Sequence, residues 1–289
     1  MTKLRRSELF FAAYFLYASA VAAVRPISPE LASLIVTLNL ALMLWFFLLA
    51  WGDRFRDDSY LGRVRDWFPI PLILLAYREM GWMYLPQATQ EFERHWIGLD
   101  RLLLNDWGMR AAIESLGPAI PAVLEVAYLL VYAVPALGVA WLYLAGKRER
   151  VDDYYSVLLF ATLTAYAMYP WFPSEPPRTV FPGQDLPAYQ GVLRRLNLLV
   201  VGTYGIHTSV FPSGHAAAAF GSAFALIRFL PERKWVGRRQ MTLAILIAVA
   251  TVYGRYHYTV DTLAGVGLAV VGVMLTRLWR KPPTSSRKA

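Results

Sequence analysis

Apolar residues come along this chain in helix-length blocks, separated by short polar or basic stretches. The blocks fall at roughly 9–24, 31–51, 68–85, 119–145, 154–172, 211–230, 240–253 and 257–279. At about 1.5 Å of rise per residue, most of them reach across the ~30 Å hydrocarbon core of a bilayer. Two are weaker: Pro69, Pro71 and the adjacent Arg78 and Glu79 interrupt the third block, and 240–253 is short. The pattern predicts an all-α fold, a polytopic membrane helix bundle of six to eight spans. Leu9 to Val24, preceded by Lys3, Arg5 and Arg6, has the outline of a signal peptide. No small-x-small cleavage site follows it and further spans do, so it is expected to remain as an anchor.

The stretches between the blocks alternate in character. Arg54/Arg56/Arg63/Arg65, Lys147/Arg148/Arg150, Arg233/Lys234/Arg238/Arg239 and the tail from Arg277 to Lys288 are basic, as is the N-terminus. If all eight blocks cross, these share one side, and the positive-inside rule makes that side, with both termini, cytoplasmic. Residues 86–118, residues 173–210 and the turn Arg255–Asp261 then lie on the exoplasmic side, which gathers the histidine-bearing stretches there. The expected location is the plasma (inner) membrane of a bacterium. Within 86–118, Trp96, Ile97, Leu99, Leu102, Leu103 and Trp107 alternate with charges, as in a helix lying in the interface. Residues 173–210 form a long Pro- and Gly-rich exoplasmic loop, and long ordered loops often carry function. The chain therefore divides into an N-terminal membrane region with the interfacial segment (1–118), a catalytic helix bundle (119–281) and a polar, disordered tail (282–289).

Composition agrees with this pattern: 57% hydrophobic residues and 15% aromatics are more than a soluble domain of 289 residues usually carries. The net charge of +9 sits in clusters between apolar blocks, which suits topology and contact with lipid headgroups rather than nucleic acid. The absence of cysteine excludes disulfides, thiolate metal ligands and a cysteine nucleophile.

Two short stretches carry candidate chemistry. In Phe211-Pro212-Ser213-Gly214-His215, followed by four alanines, Pro212 imposes an extended entry and Ser213 is a natural N-cap. The helix start offers backbone N–H groups to an anion, with His215 projecting beside it. The same residues also suit a capped membrane helix with a histidine at the water interface. In the second stretch, Gly254 to Gly265, His257 and Asp261 are four apart and share one face of a helix. A carboxylate on one imidazole nitrogen sets the tautomer and raises the basicity of the other, as a nucleophile toward phosphorus requires. A hydrogen-bonded pair stabilising a helix start is the plainer reading, and two such stretches on one membrane face favour function.

Pro-Ser-Gly-His followed by His-x-x-x-Asp and Ala-Gly resembles the type 2 phosphatidic acid phosphatase superfamily. Arg255-Tyr256-His257-Tyr258-Thr259-Val260-Asp261, preceded by the loop element Phe172-Pro173-Ser174-Glu175-Pro176-Pro177-Arg178, is most similar to its inositol-phosphorylceramide-synthase (inositolphosphotransferase) branch. The motif-bearing resemblance covers about residues 154–279. It implies that His257 is the nucleophile forming a phosphohistidine, that Asp261 orients it, and that His215 is general acid and then base. Ser213 and Gly214 would bind phosphate oxygens and arginines would balance transition-state charge, with no metal and no other cofactor. The substrate would be a membrane phospholipid and the acceptor water, an alcohol or another lipid.

The chain departs from the superfamily pattern in two places. Its Lys-x6-Arg-Pro element is absent: Ala18 stands seven residues before Arg25-Pro26. The Ser-Arg expected seven and six residues before the nucleophile is Ala250-Thr251. The phosphate clamp is therefore assigned to Arg178 and Arg255, while Arg194 and Arg195 read more simply as a solvated loop pair. His207 and His95 read as incidental and structural, Arg78 and Glu125 as a pair pinning two helices, and Tyr128, Tyr132, Tyr166 and Tyr169 as core and belt residues. Two other classes remain open: a proton-coupled transporter using the same His and Asp residues, and a zinc hydrolase with His215, His257 and Asp261 as ligands.

Overall fold

The computed structural model describes residues 4–53, 60–83, 89–206 and 210–279. Arg54, Arg56, His207 and the tail 282–289 lie outside these residues. Within them the chain is helical with no strand: α1 (Arg6–Val24), α2 (Pro29–Asp53), α3 (Tyr60–Trp67), α4 (Pro69–Trp82), α5 (Glu91–Arg101), α6 (Met109–Glu114), α7 (Ala119–Leu130), α8 (Val134–Leu144), α9 (Val151–Met168), α10 (Pro177–Val180), α11 (Val192–Tyr204), α12 (Gly214–Phe229), α13 (Lys234–Tyr253) and α14 (Thr259–Trp279). Each of the eight apolar blocks becomes a helix, with α7 and α8 together forming one. Four stretches among the described residues are long and apolar enough to cross a bilayer: Arg6–Val24, Pro29–Asp53, Ala119–Leu144 and Thr259–Thr276. The fold is a polytopic membrane helix bundle. α2 shows the physics plainly, exposing Leu34, Leu40, Leu44, Trp45, Phe47, Leu48 and Trp51 where a soluble helix would carry charge.

Local sequence explains the interruptions. Pro135 supplies no amide to the helix ladder, and the chain passes from α7 to α8 through a 3-10 turn at Val131–Ala133. The interfacial segment is not one helix: α5 runs into a π-turn at Leu102–Asp106 and breaks at Gly108, whose φ is +71°, before α6. The long loop is not irregular throughout, because α10 and α11 lie inside it. The short seventh block at 240–253 extends back to Lys234, so Arg238 and Arg239 belong to the helix.

α12 is the centre of the bundle, packed between α9, α13 and α14. Its buried face is built from Ala216, Ala217, Ala219, Gly221, Ser222 and Ala223, small residues that let neighbouring backbones approach. The Ser222 hydroxyl meets the Tyr154 hydroxyl of α9 at 2.9 Å, so this polar group is paired inside the bundle.

At the end of the bundle remote from the histidines, the basic residues do more than face solvent or headgroups. Asp66 receives Arg5 at 2.6 Å and Arg148 at 2.7 Å, and the Tyr143 hydroxyl as well. Arg65, only 6% exposed, pairs with Glu8 and Asp53, each at 2.6 Å. Arg6 pairs with Asp153 at 2.6 Å, and Arg150 with Glu232 at 2.8 Å. These pairs hold the ends of α1, α3, α9 and α12 in register and leave the opposite end for chemistry.

At that opposite end α14 comes close against the start of α12. A Cβ placed on Gly265 would overlap the Ser213 carbonyl oxygen and lie 3.1 Å from the Ala217 amide nitrogen. Backbone atoms have no rotamer with which to yield, so Gly265→Ala is expected to lower stability by about 1–3 kcal/mol. Thermal unfolding in detergent micelles measures this, and an unchanged midpoint would refute the contact.

Candidate active site

Two turns and one loop converge at the histidine end. Ser213 caps α12, its hydroxyl accepting from the Ala216 amide at 3.2 Å, and His215 follows in the first turn. α13 ends at Gly254, and Arg255 takes a left-handed φ of +62° that reverses the chain. The Thr251 carbonyl then accepts from the amides of Tyr256 at 2.9 Å and His257 at 3.0 Å, closing the turn. His257 therefore lies ahead of α14, not on it. The helical i,i+4 spacing expected for His257 and Asp261 is replaced by a turn in which the Asp261 carboxylate accepts from the Tyr258 amide at 2.8 Å. The Ser213 amide donates to the Asp261 carbonyl at 2.9 Å, tying the two motif segments together.

The imidazoles face each other, with His257 Nε2 3.3 Å from His215 Nδ1. His257 Nδ1 is 3.1 Å from the Val210 carbonyl oxygen. A carbonyl only accepts, so Nδ1 carries the proton and Nε2 presents a lone pair toward His215. The nearer oxygen of Asp261 is 3.5 Å from Nδ1, too far for a strong hydrogen bond but near enough to stabilise positive charge on the ring. The carbonyl of Val210, which no side-chain motif could announce, is the closer orienting group. Burial, then the neighbouring His215 and Arg178, hold His257 well below the ordinary imidazole range, so it is neutral at pH 7. Asp261 faces Nδ1 while His215 faces Nε2, on opposite edges of the ring. That arrangement does not converge the three groups on one zinc ion, and among the described residues no other group of three such ligands does.

Of the two clamp candidates, the structure brings only Arg178 to the imidazoles. Its guanidinium donates to the Tyr256 carbonyl at 3.4 Å and lies 5.6 Å from the Tyr256 ring centre, and no carboxylate pairs with it among the described residues. Burial lowers it from the usual guanidinium range, which is the cost of holding an uncompensated cation there. Arg255 points elsewhere: it is fully buried and paired with Asp100 at 2.8 Å. Burial pushes Arg255 down and Asp100 up, each opposed by the other's charge. Arg194 is not a solvated loop residue, being 2% exposed and bound to Glu125 at 3.0 Å and to the Gly254 carbonyl at 3.1 Å. Glu125 consequently does not bridge to Arg78, whose guanidinium donates to the Tyr204 carbonyl at 2.9 Å.

The tyrosines are more than core filler. Tyr128 stacks on His215 with ring centres 5.1 Å apart, and on its other side on Tyr256 at 3.9 Å. Tyr256 is anchored by its hydroxyl, which donates to Glu125 at 2.8 Å. The Tyr169 hydroxyl accepts from the Gly214 amide at 3.3 Å, a long bond that occupies one of the anticipated anion donors. The i,i+4 and i,i+3 spacings of Tyr128/Tyr132 and Tyr166/Tyr169 place each pair on one helix face, the only sequence signal of these contacts. A half-open apolar cleft leads to His215 and Gly214, walled by Ile70, Ile73, Leu74 and Tyr77 of α4, by Val131, Tyr132 and Pro135 at the α7–α8 break, and by Tyr166 and Tyr169. His95 is exposed and bonds only back to the Glu91 carbonyl of its own helix at 2.7 Å.

A family model described as the PAP2 superfamily matches residues 95–275. A stretch of 109 residues is 35% identical to a PA-phosphatase related-family protein of Dictyostelium discoideum, covering 34% of this chain and 18% of that protein. The chain thus spans less than a fifth of the length of that relative. No solved structure matches.

The contrast between the two arginines is measurable. Removing Arg255 strands a buried carboxylate, so Arg255→Ala is expected to cost about 3–5 kcal/mol in unfolding experiments. Arg178→Ala strands no charge, only one long bond to the Tyr256 carbonyl, and is expected to move the unfolding midpoint little while weakening inorganic vanadate binding by roughly 10- to 100-fold, the worth of charged hydrogen bonds to an anion. Calorimetric titration with vanadate reads the second effect. Equal vanadate affinity in Arg178→Ala would remove this residue from the anion site.

Proposed function

Because the chain belongs to the PAP2 superfamily, we propose that it is a membrane phosphatase or phosphotransferase acting on phospholipids through a phosphohistidine. The observation that carries this reading is Arg178, a half-buried cation with no carboxylate partner among the described residues, beside a histidine whose tautomer exposes its Nε2 lone pair. An anion is the missing partner, and the lone pair is the nucleophile. The apolar cleft ending at His215 supports a lipid as the carrier of that anion.

The steps balance without a further reagent. His257 Nε2 attacks phosphorus, the N–P bond forms, and the bond to the lipid oxygen breaks. Protonated His215 delivers its proton to that leaving oxygen. An acceptor hydroxyl then loses its proton to His215 and attacks phosphorus, and the N–P bond breaks to restore His257. Arg178 and the Ser213 hydroxyl stabilise the charge on the phosphoryl oxygens, and the Gly214 amide joins them by leaving its long bond to the Tyr169 hydroxyl. Positive charge developing on His257 is met by the Val210 carbonyl and the Asp261 carboxylate.

Water as acceptor makes the protein a phospholipid phosphatase, and an alcohol or lipid acceptor makes it a transferase. The Arg-x-His-Tyr-x-x-Asp stretch favours transfer of a phospho-headgroup, as in the inositol-phosphorylceramide-synthase branch. The basic clusters at the other end of the bundle favour an exoplasmic site with cytoplasmic termini, in a bacterial plasma membrane.

The test is incubation of the detergent-solubilised protein with labelled phosphatidic acid or a phosphoinositide, with and without inositol. Mass spectrometry then separates released phosphate from a transferred headgroup. An acid-labile, base-stable phosphoprotein is expected from the wild type, none from His257→Ala, and full activity in EDTA. Retained turnover in His257→Ala would end this mechanism. Because His257 must be unprotonated to attack and its proton affinity is depressed, activity on a phosphodiester lipid should persist as pH falls past the ordinary imidazole value of about 6.5. A kcat/KM profile with an acid limb centred there would contradict the buried, neutral His257.

A further inference from the structure

One face of α5 touches every segment that carries a proposed catalytic group. Glu93, Trp96, Ile97 and Asp100 are spaced i, i+3, i+4 and i+7 and share that face. Glu93 accepts from the Glu175 amide at 2.8 Å, in the loop that leads into Arg178. Trp96 stacks on Phe211, two residues before Ser213, at 5.1 Å, and meets Tyr258 edge-on at 5.7 Å. Ile97 packs with Val210, whose carbonyl orients His257. Asp100 binds on both sides of His257: Oδ2 pairs with Arg255 at 2.8 Å, and Oδ1 accepts from the Thr259 amide at 2.7 Å.

The geometry points to Asp100 as a positioning residue for the nucleophile, acting with Arg255 through the turn that carries His257; this rests on the phosphohistidine reading above. Two anchors, at Arg255 and Thr259, straddle a five-residue turn. Between them the chain has to hold Arg255 at a left-handed φ of +62°, a conformation that a non-glycine residue keeps only when its surroundings impose it. Backbone bonds to Thr251 and Val252 close the turn from one side, and the Arg255–Asp100 pair holds it from the other with 0% exposure on both side chains, so water does not loosen it. Arg255 Nε and Nη2 are buried with no hydrogen-bond partner among the described residues, so Asp100 is the side chain that anchors its guanidinium. Fixing the backbone on both sides of His257 fixes where Nε2 points, and a shift of about 1 Å in a reacting atom costs on the order of 100-fold in rate. Asp100 touches neither substrate nor imidazole. It works through the turn.

The test compares Asp100→Asn with the doubly neutral Asp100→Asn/Arg255→Gln, because the single change leaves a buried guanidinium unpaired and lowers stability. Three quantities are read on the folded fraction: the rate of phosphoenzyme formation, the affinity for vanadate, and the ring nitrogen resonances of histidine labelled with nitrogen-15. The chain has only four histidines, and the His257 signals are assigned by their loss in His257→Gln. Phosphoenzyme formation is expected to slow about 100-fold in both variants, with vanadate affinity held within about twofold, the signature of lost alignment rather than lost binding. The His257 resonances should move while those of His95 stay. A phosphoenzyme rate within about threefold of wild type in either variant, or a vanadate affinity that falls in step with the rate, would overturn the inference; the second outcome would make Arg255 a phosphate ligand. If the wild type itself forms no phosphoenzyme from any phospholipid, the proposed chemistry fails on its own. The positioning claim is then decided by the resonances, and unmoved His257 signals in Asp100→Asn would reject it.

Discussion

The hydrogen bond between His257 Nδ1 and the Val210 carbonyl, at 3.1 Å, is the constraint on which the rest of the site depends. It puts the proton on Nδ1 and so leaves Nε2, 3.3 Å from His215, as a lone pair in a buried place. Without that bond the ring could turn or change tautomer, and the facing imidazole would have nothing to donate to. The bond in turn needs Val210 and His257 to stay in register although they lie 47 residues apart. That register comes from neighbours on every side: the Ser213 amide on the Asp261 carbonyl, the Thr251 carbonyl under the turn, and Ile97 against Val210 and Tyr258.

Buried charge then separates structure from chemistry. A charge removed from water is costly unless another charge or several hydrogen bonds compensate it. Arg255 answers to Asp100, and Arg194 to Glu125, which also receives Asn197 and Tyr256. Each of those arginines has its charge met by a carboxylate within the fold, although Arg255 Nε and Nη2 lack hydrogen-bond partners among the described residues. Arg178 makes one long bond to a carbonyl and otherwise leans on the Tyr256 ring. The same criterion distinguishes the two ends of the bundle. The remote end is a network of closed ion pairs around Asp66 and Arg65, whereas beside the imidazoles Arg178 has no ion-pair partner among the described residues. The sequence named both Arg178, seventy-nine residues before His257, and Arg255, two before it, as clamp candidates; compensation leaves only Arg178 of the two without an ion-pair partner among the described residues.

The helices were legible because a membrane asks one thing of a segment, a long apolar run, and that demand is local. Ser213 as a cap and the small-residue face of α12 were legible for the same reason, since both are properties of consecutive residues. What escaped was non-local. α11 was hidden because it is amphipathic in the inverse sense: Arg194 and Asn197 face inward to Glu125, while Val192, Leu196 and Leu199 are exposed. A polar face usually announces solvent, so the segment looked like a loop. Tyr128 looked like core because nothing in its own helix says that its ring will lie against His215. Asp100 sat in a stretch read as an interfacial helix, and its partner is 155 residues later. The four-residue spacing of His257 and Asp261 was real, but it was read as a helix where Arg255 makes a turn.

These placements also say how one site could serve a lipid and a polar acceptor. The apolar cleft reaches His215 from the side of α4 and the α7–α8 break. Tyr128 stacks on both His215 and Tyr256, and the Tyr256 ring has Arg178 at 5.6 Å and Arg194 at 5.7 Å from its centre. In the proposed reaction a lipid chain in the cleft would leave past His215, and the phosphoryl oxygens would face Arg178, whose charge reaches both imidazoles. The ring stack carries apolar packing and cation contacts in one continuous aromatic column. Tyr256 in that column is pinned by its hydroxyl on Glu125, which also binds Arg194, so one buried carboxylate fixes both the ring and a cation beside it.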